Sequence, residues 1–291
     1  MNNRNDDLIL PFTLEGANVR GKLVRLGPAI SEILDAHAYP QAIAAKLGEA
    51  IVLSALLGGT LKFDGKLILQ TSTDGALNMM VANFTTPGDL RGYARFEGEG
   101  KDLSEGHLLG KGHLALTIDQ GAQMERYQGV VELQGDDLAA AAHSYFERSE
   151  QIPTQIQLAA GPIITQGGQG WRAGGLLIQH MPGGAAEASE GSQEDWRRVC
   201  LLQKTTQAHE MLDPQLPAEQ LLYRLFHEEG VKVFPPQPLR AKCGCSEAGV
   251  REMLLRFSAA ERADMLKDDG TISVNCQFCN RDYVFDAAEF G

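Results

Sequence analysis

Short runs in which apolar and polar residues alternate predict several β-strands between Leu8 and Pro182. The turn signal Asp74-Gly75 separates the first two of these runs. The predicted strands are 67–73, 79–84, 114–118, 129–133, 155–158 and 175–179.

Two longer patterns in the same region predict helices, at 40–57 and at 136–150. Pro40 suits a first helical turn, and Gly58-Gly59 supplies a stop signal. Because the strands cluster and do not alternate regularly with helices, we expect an α+β fold for this domain, 1–185.

The stretch 182–192 is polar and rich in Gly, Ala and Ser, which is typical of a domain boundary. A helix is predicted after it, with Ser192 as N-cap and Asp195 in the first turn. Trp196 and Val199 lie on its apolar face, together with Cys200, which we interpret as a small buried hydrophobic residue.

Asp213-Pro214 interrupts this helical pattern, and a further helix is predicted over 218–228, ending at Gly230. An extended segment follows at 231–234, and the prolines of 235–238 mark a second boundary. We therefore expect a helical linker, 186–238, between the first domain and a C-terminal one, 239–291. The apolar stripe of the second linker helix consists of Leu221, Leu222, Leu225 and Phe226.

Four of the five cysteines form two close pairs near the C-terminus, Cys243-Gly244-Cys245 and Cys276 with Cys279. Four thiolates in two close pairs are what tetrahedral zinc requires, and Gly244 allows the sharp bend between the first two. The sequence therefore predicts one zinc ion bound by Cys243, Cys245, Cys276 and Cys279.

Thirty residues separate the two cysteine pairs and predict a small α/β module. Ser246 can cap a helix to about Phe257, and 258–261 reads as a capping box for a second helix. Strands are predicted at 271–274 and 283–285. A module of this size has little core, so the metal would supply much of its stability.

The composition excludes several classes of protein. Asp+Glu total 38 against 26 Lys+Arg, and this net charge of −12 argues against binding to phosphate backbones. The acidic N-terminus does not resemble a secretory signal, and the apolar run 50–57 is too short to span a bilayer. We expect a cytoplasmic protein, in which clustered cysteines indicate metal or redox chemistry.

Three other interpretations of the cysteines remain open. The module could be purely structural; it could be a zinc ribbon that binds nucleic acid; or Cys276 and Cys279 could serve a thiol-disulfide oxidoreductase. The second requires a basic face, but 239–291 holds seven Lys/Arg against nine Asp/Glu. The third favours a first cysteine at a helix N-terminus, whereas a turn and a strand are predicted here.

The two cysteine pairs, together with several upstream segments, resemble the heat-shock protein 33 family, also called 33 kDa chaperonin. The resemblance covers nearly the whole chain and includes all four family ligands. Cys200 is not one of them. The similar upstream segments are 59–67, 91–95, 126–132, 173–177, 225–229 and 234–238.

The resemblance implies a redox-regulated, ATP-independent holdase chaperone rather than an enzyme. Its reduced, zinc-bound form is inactive; oxidative stress produces disulfides, releases zinc, unfolds the module and then the linker, and exposes a surface that binds unfolded proteins. The active form is a homodimer, and neither nucleotide, nucleic acid nor membrane is a partner. Short loop closure favours the disulfides Cys243–Cys245 and Cys276–Cys279. The candidate client-binding residues are Trp196, Leu221, Leu222, Leu225 and Phe226.

Overall fold

The computed structural model describes residues 6–98, 103, 108–121, 124–165, 168–181 and 190–290. The chain divides into two units, Met1–Ala241 and Lys242–Gly291. The predicted linker helices belong to the first unit. The boundary between the two units therefore lies after Ala241 and not at residue 186, where the predicted linker begins. The boundary stretch 182–189 lies outside the described residues.

The first unit is built from two sheets and six helices within the part of the chain described. Its elements are β1 (Leu8–Leu14), β2 (Val19–Leu26), α1 (Pro28–Asp35), α2 (Gln41–Gly58), β3 (Lys66–Thr73), β4 (Met79–Thr85), β5 (Asp89–Arg95), β6 (Lys111–Asp119), β7 (Tyr127–Gln134), α3 (Leu138–Tyr145), β8 (Thr154–Thr165), β9 (Gly168–His180), α4 (Glu190–Lys204), α5 (Ala208–Leu212), α6 (Ala218–Phe226), β10 (Val231–Val233), β11 (Gln237–Pro238) and β12 (Arg240–Ala241).

The first sheet has the order β10-β1-β2-β9-β8, with β11 also paired to β1. The second sheet has the order β12-β5-β4-β3-β6-β7. Neighbouring strands are antiparallel except β12, which runs parallel to β5. The mixed α/β architecture agrees with the α+β fold expected from the sequence.

Helix α2 contacts strands of both sheets, and its apolar side chains form the centre of the main core. The helix fits because small residues face it: a Cβ atom on Gly175 of β9 would lie 2.5 Å from Val52 Cγ1, and one on Gly92 of β5 would lie 2.7 Å from Ile51 Cδ1. By length and composition alone α2 could cross a membrane, yet 72% of it is buried in the unit. Its surroundings are those of a core helix of a folded domain.

A second core lies on the opposite face of the first sheet and is closed by the linker helices. Leu8 and Leu10 of β1 face these helices, while Ile9 between them faces the main core, as strand alternation requires. The first sheet is therefore covered on both faces, and α4, α5 and α6 form the cover of one of them.

Most elements predicted from the pattern of the first unit are confirmed, with shifts of up to three residues at most ends, but β8 ends seven residues later and β9 begins seven residues earlier than predicted. Two details differ. Helix α4 begins at Glu190, so Ser192 lies inside it and is not its N-cap; its hydroxyl is 3.1 Å from His180 Nε2. The pattern also did not predict β1, β2, β5 or α1.

The second unit consists of α7 (Glu247–Leu255), α8 (Ala259–Asp264) and the antiparallel pair β13 (Thr271–Asn275) and β14 (Asp282–Asp286). Both predicted caps are present: Ser246 accepts a hydrogen bond from Gly249 N at 3.1 Å, and Ser258 forms a capping box with Glu261. The described core of this unit is Leu254, Ile272, Tyr283, Phe285 and Phe290.

Candidate metal centre

The first cysteine pair lies in the extended segment that leads into α7. Cys243 and Cys245 flank Gly244, where a Cβ atom would meet no other atom within 4 Å. Ser246 follows directly and caps the helix, so the N-terminus of α7 fixes the position of Cys245.

The second pair lies in the turn between β13 and β14. Cys276 N donates to Arg281 O at 2.9 Å, and Asn280 N donates to Cys276 O at 2.8 Å. Asn280 has a φ of 55°, a left-handed conformation that asparagine tolerates and that closes the turn. The hairpin turn thus brings Cys276 Sγ and Cys279 Sγ within 4.8 Å of each other.

The fold brings all four sulfurs together. Each Sγ lies within 4.8 Å of the other three. Two short separations join one pair to the other: Cys243 Sγ is 3.6 Å from Cys276 Sγ, and Cys245 Sγ is 3.3 Å from Cys279 Sγ. A tetrahedral zinc site with Zn–S bonds of about 2.3 Å would place its sulfurs about 3.8 Å apart. The donor set and its spacing therefore fit a tetrahedral metal ion such as zinc.

The ionisation of these thiols is uneven. Burial raises the pKa of Cys243 and raises the pKa of Cys279 to about 12. Burial also tends to raise the pKa of Cys245, but hydrogen bonds from Tyr283 and from the neighbouring thiols outweigh it and lower this pKa to about 7. Since a metal ligand must be deprotonated, metal binding at this site would release protons.

Tyr283 supports the site in a way that the sequence pattern did not predict. Its hydroxyl donates to Cys245 Sγ at 3.1 Å, while its ring is buried in the core of the second unit. Groups that hydrogen-bond a metal ligand fix its orientation and commonly change metal affinity by about 10- to 100-fold.

We therefore expect Tyr283→Phe to weaken zinc binding by about tenfold without unfolding the unit, because the ring remains and only the hydroxyl is lost. Competition with a chromophoric chelator measures the affinity. Val284→Ala is a matched control, because Val284 lies on the same strand but is exposed. Equal affinity in Tyr283→Phe and the unchanged protein would contradict a supporting role for the hydroxyl.

Cys200 lies on α4 and is not a member of the four-cysteine cluster. It is half-buried against the second core of the first unit, and burial raises its pKa to about 11. These surroundings agree with the small hydrophobic residue interpreted from the sequence.

The candidate client-binding residues are all placed in that second core. Leu221, Leu222 and Phe226 are fully buried, whereas Trp196 and Leu225 are partly buried at its rim. The Phe226 ring stacks on Phe12, with centroids 5.9 Å apart. Their packing against the first sheet is thus established, and their role in client binding stays a prediction.

Two polar connections that hold the linker were not predicted. The buried Arg25 guanidinium donates to the carbonyls of Asp213 and Leu216, in the turn between α5 and α6. Arg198 of α4 donates to both carboxylate oxygens of the buried Glu229 at 2.6 and 2.8 Å. The sequence could not predict these bonds, because nothing in the local pattern distinguishes Arg25, Arg198 and Glu229 from charged residues that face solvent.

The chain thus consists of a core domain covered by short helices and a small second unit that brings four cysteine thiols together. It belongs to the class of proteins whose candidate thiolate metal site lies in a unit of its own. Comparison with known proteins identifies the family within this class. The family model described as Hsp33 protein matches residues 7–286. The 33 kDa chaperonin of Caulobacter vibrioides is 44% identical over 97% of this chain and 95% of its own length.

The 33 kDa chaperonin of Nitrosococcus oceani is 40% identical over 99% of this chain and 94% of its own. The crystal structure of the 33 kDa chaperonin from Thermotoga maritima superposes with a TM-score of 0.80 at 25% identity, over 97% of this chain and 96% of that one. The chain belongs to the Hsp33 family. The family and the names of these relatives support a chaperone function.

Proposed function

We propose that this protein is a redox-regulated, ATP-independent holdase chaperone whose switch is the four-cysteine site. One observation carries the proposal: in a member of the Hsp33 family, four thiols from two separate segments lie within 4.8 Å of one another. Such a cluster can bind a metal when reduced and can form disulfides when oxidised.

In the reduced state, the thiolates of Cys243, Cys245, Cys276 and Cys279 bind one zinc ion. Zinc supplies a structural cross-link, with a binding free energy on the order of 10 kcal/mol in small domains. The cysteines thereby tie the segment before α7 to the β13–β14 turn, and the chaperone is inactive.

Oxidation removes these ligands. Two of the thiolates give two electrons to one peroxide, which takes up two protons from the solvent and is reduced to two molecules of water while one S–S bond forms. A second peroxide oxidises the other pair in the same way. Cysteines joined in disulfides no longer act as thiolate ligands, so zinc leaves and the second unit loses its cross-link.

The linker completes the activation. Helices α4, α5 and α6 are short, and isolated helices of such lengths are marginal in water without tertiary packing. Their unfolding would uncover the apolar face of the first sheet and their own apolar residues, Trp196, Leu221, Leu222, Leu225 and Phe226. Both surfaces would then hold unfolded client proteins.

The disulfides are proposed to be Cys243–Cys245 and Cys276–Cys279. In the reduced fold, sulfurs of different pairs also lie close together, at 3.6 Å and 3.3 Å, so every pairing is within reach. Once the unit loosens, closure of a short loop costs less entropy than closure across thirty residues. Peptide mapping of oxidised protein tests this, with Cys200→Ser as the background that removes scrambling. Predominant Cys243–Cys276 or Cys245–Cys279 bonds would refute the pairing.

The remaining parts of the proposal follow from the family. The active form is a homodimer, the protein acts in the cytoplasm on unfolded clients, and it needs no nucleotide. A strict requirement for ATP in preventing aggregation would contradict this. Nucleic acid and membranes are not expected partners, in keeping with the net charge of −12.

The two alternative functions find less support in the geometry. Neither Cys276 nor Cys279 lies at a helix N-terminus, where a reactive redox thiol is usually placed; both lie in the β13–β14 turn. The described part of the second unit has acidic residues interspersed with its arginines, without the basic face of a nucleic-acid module.

The decisive experiment measures zinc content and suppression of client aggregation in one preparation, before and after peroxide. We expect one zinc per reduced chain and no suppression, then zinc release and suppression, both reversed by a dithiol reductant with added zinc. Suppression that is equal in the two states would refute redox regulation.

A further inference from the structure

The segment between the last linker helix and the four-cysteine site pairs with the edges of both sheets. We name residues 231–241 the strap. Its β10 and β11 pair antiparallel with β1, and its β12 pairs with β5. The strap begins after Gly230, which follows the helical turn His227–Glu229, and it ends at Ala241, two residues before Cys243.

Backbone hydrogen bonds hold the strap to β1. Phe234 N donates to Pro11 O at 2.9 Å, Leu239 N donates to Asp7 O at 2.7 Å, and Glu15 N donates to Gly230 O at 3.3 Å. These bonds use groups that every polypeptide backbone carries, and they do not depend on the side chains of the strap.

The side chains in the middle of the strap contribute little to its attachment. At its two ends, Val231 packs against the second core and Arg240 forms an ion pair with Asp89. Residues 232–238 are exposed, including Val233 (42%) and Phe234 (41%), and Leu239 is the buried exception that reaches the main core. Pro235 and Pro236 lack N–H donors and separate the pairing of β10 from that of β11. The strap is therefore a short added strand, held at its two ends and interrupted in the middle.

The edge of β1 beneath the strap suits the capture of an extended chain. An edge strand whose N–H and C=O groups lose their partner is a template for another strand. Alternate residues of β1, Leu8, Leu10, Phe12 and Leu14, belong to the apolar face that the linker helices cover. A chain paired with β1 would extend this apolar face by its own alternate side chains.

We infer that the strap is a placeholder for the client: its release from β1 opens an edge on which an extended, unfolded client segment pairs through its backbone. This inference rests on the proposed holdase function and specifies how the client is bound. Recognition through backbone hydrogen bonds fits a chaperone that must accept unfolded proteins of unrelated sequence.

The test uses the full-length protein and a fluorescein-labelled peptide with the sequence of residues 230–241, measured by fluorescence anisotropy. We expect the peptide to bind the oxidised protein and not the reduced protein. A reduced, carboxymethylated protein, which stays unfolded, should displace it.

Two methylated peptides separate backbone pairing from side-chain binding. N-methylation at Phe234 and Leu239 removes two donors that bind β1 and should weaken binding about tenfold or more. N-methylation at Val231 and Val233 is the matched control, because strand donors alternate and these N–H groups point away from β1. The control peptide should bind within about twofold of the unmodified one.

Hydrogen exchange of the full chain gives an independent readout. The amides of Thr13 and Glu15 lie on the strap side of β1, and Glu15 N donates to Gly230 O. We expect both to lose protection on oxidation and to regain it when the unfolded client is added.

Three outcomes would overturn the inference. The two methylated peptides could bind equally well, or the peptide could fail to bind oxidised protein that does hold client. The third is that Thr13 stays protected in oxidised protein without client, because two chains have paired each other's straps with β1 in a dimer. The peptide measurement needs no client. Failure of the oxidised protein to hold any client would therefore overturn the proposed function, separately from the role of the β1 edge.

Discussion

Replacement of Cys276 and Cys279 by serine is expected to abolish zinc binding and to unfold the second unit, while the first unit stays folded. The double variant keeps Cys243 and Cys245, but two thiolates cannot complete a tetrahedral site. Zinc analysis and hydrogen exchange by region measure the two effects. Addition of a strong chelator to the unchanged reduced protein should give the same pattern.

The large effect follows from how little else holds this unit together. Its described core consists of Leu254, Ile272, Tyr283, Phe285 and Phe290, over a segment of about fifty residues. Units of this size usually need a metal or disulfides, because their core cannot offset the entropy of ordering the chain. A metal-binding free energy on the order of 10 kcal/mol is comparable to the whole stability of a small domain.

Cys200→Ser is the matched control, because Cys200 packs on the first unit and is no part of the cluster. It should keep one zinc per chain and a folded second unit. Full zinc retention in the Cys276→Ser, Cys279→Ser variant would show that the four sulfurs are not the metal ligands.

The sequence allowed the four-cysteine cluster to be predicted because its signal is local and chemical. The spacing of the cysteines, the cap at Ser246 and the capping box at Ser258 all depend on residues close in the chain, and the structure contains each of them. Helix α2 was predicted for a similar reason, since a long apolar run between Pro40 and Gly59 has few alternatives.

The missed elements depend on tertiary contacts. Strand β1 is apolar on both faces because helix α2 covers one and the linker covers the other, so the alternation expected of a half-exposed strand is lost. A proline within a strand weakens the strand signal, but the carbonyl of Pro11 accepts a hydrogen bond from Phe234 N of the strap, and the position needs no donor. Tyr283 looks like an ordinary core residue of a strand until Cys245 is placed beside its hydroxyl.

Replacement of Leu225 and Phe226 by alanine is expected to give chaperone activity in the reduced, zinc-bound protein. Phe226 is fully buried against Phe12, and truncation of a buried phenylalanine costs about 3–5 kcal/mol. Leu225 is only partly buried, so Phe226 should account for most of the effect. The lost free energy weakens the docking of the linker on the first sheet and not metal binding, because both residues pack on the second core and neither is one of the four cysteines.

The physical reason lies in the length of the linker helices. Helix α6 spans Ala218–Phe226, too short to persist without the first sheet beneath it. Loss of its main contact should shift the linker toward the undocked state even while the four cysteines keep their zinc. Activity would then appear without oxidant, which separates linker docking from metal binding as two stages of one switch.

Tyr223→Ala provides the matched control on the same helix, because Tyr223 is 63% exposed and adds little to docking. Aggregation assays, zinc analysis and hydrogen exchange over residues 192–228 are measured together on both reduced variants. We expect low protection and activity with Leu225→Ala and Phe226→Ala, and neither change with Tyr223→Ala. If oxidation of the unchanged protein produces activity while 192–228 stays fully protected, the linker is no part of the switch. An inactive double variant whose linker has lost its protection would likewise show that undocking alone does not create the client-binding surface.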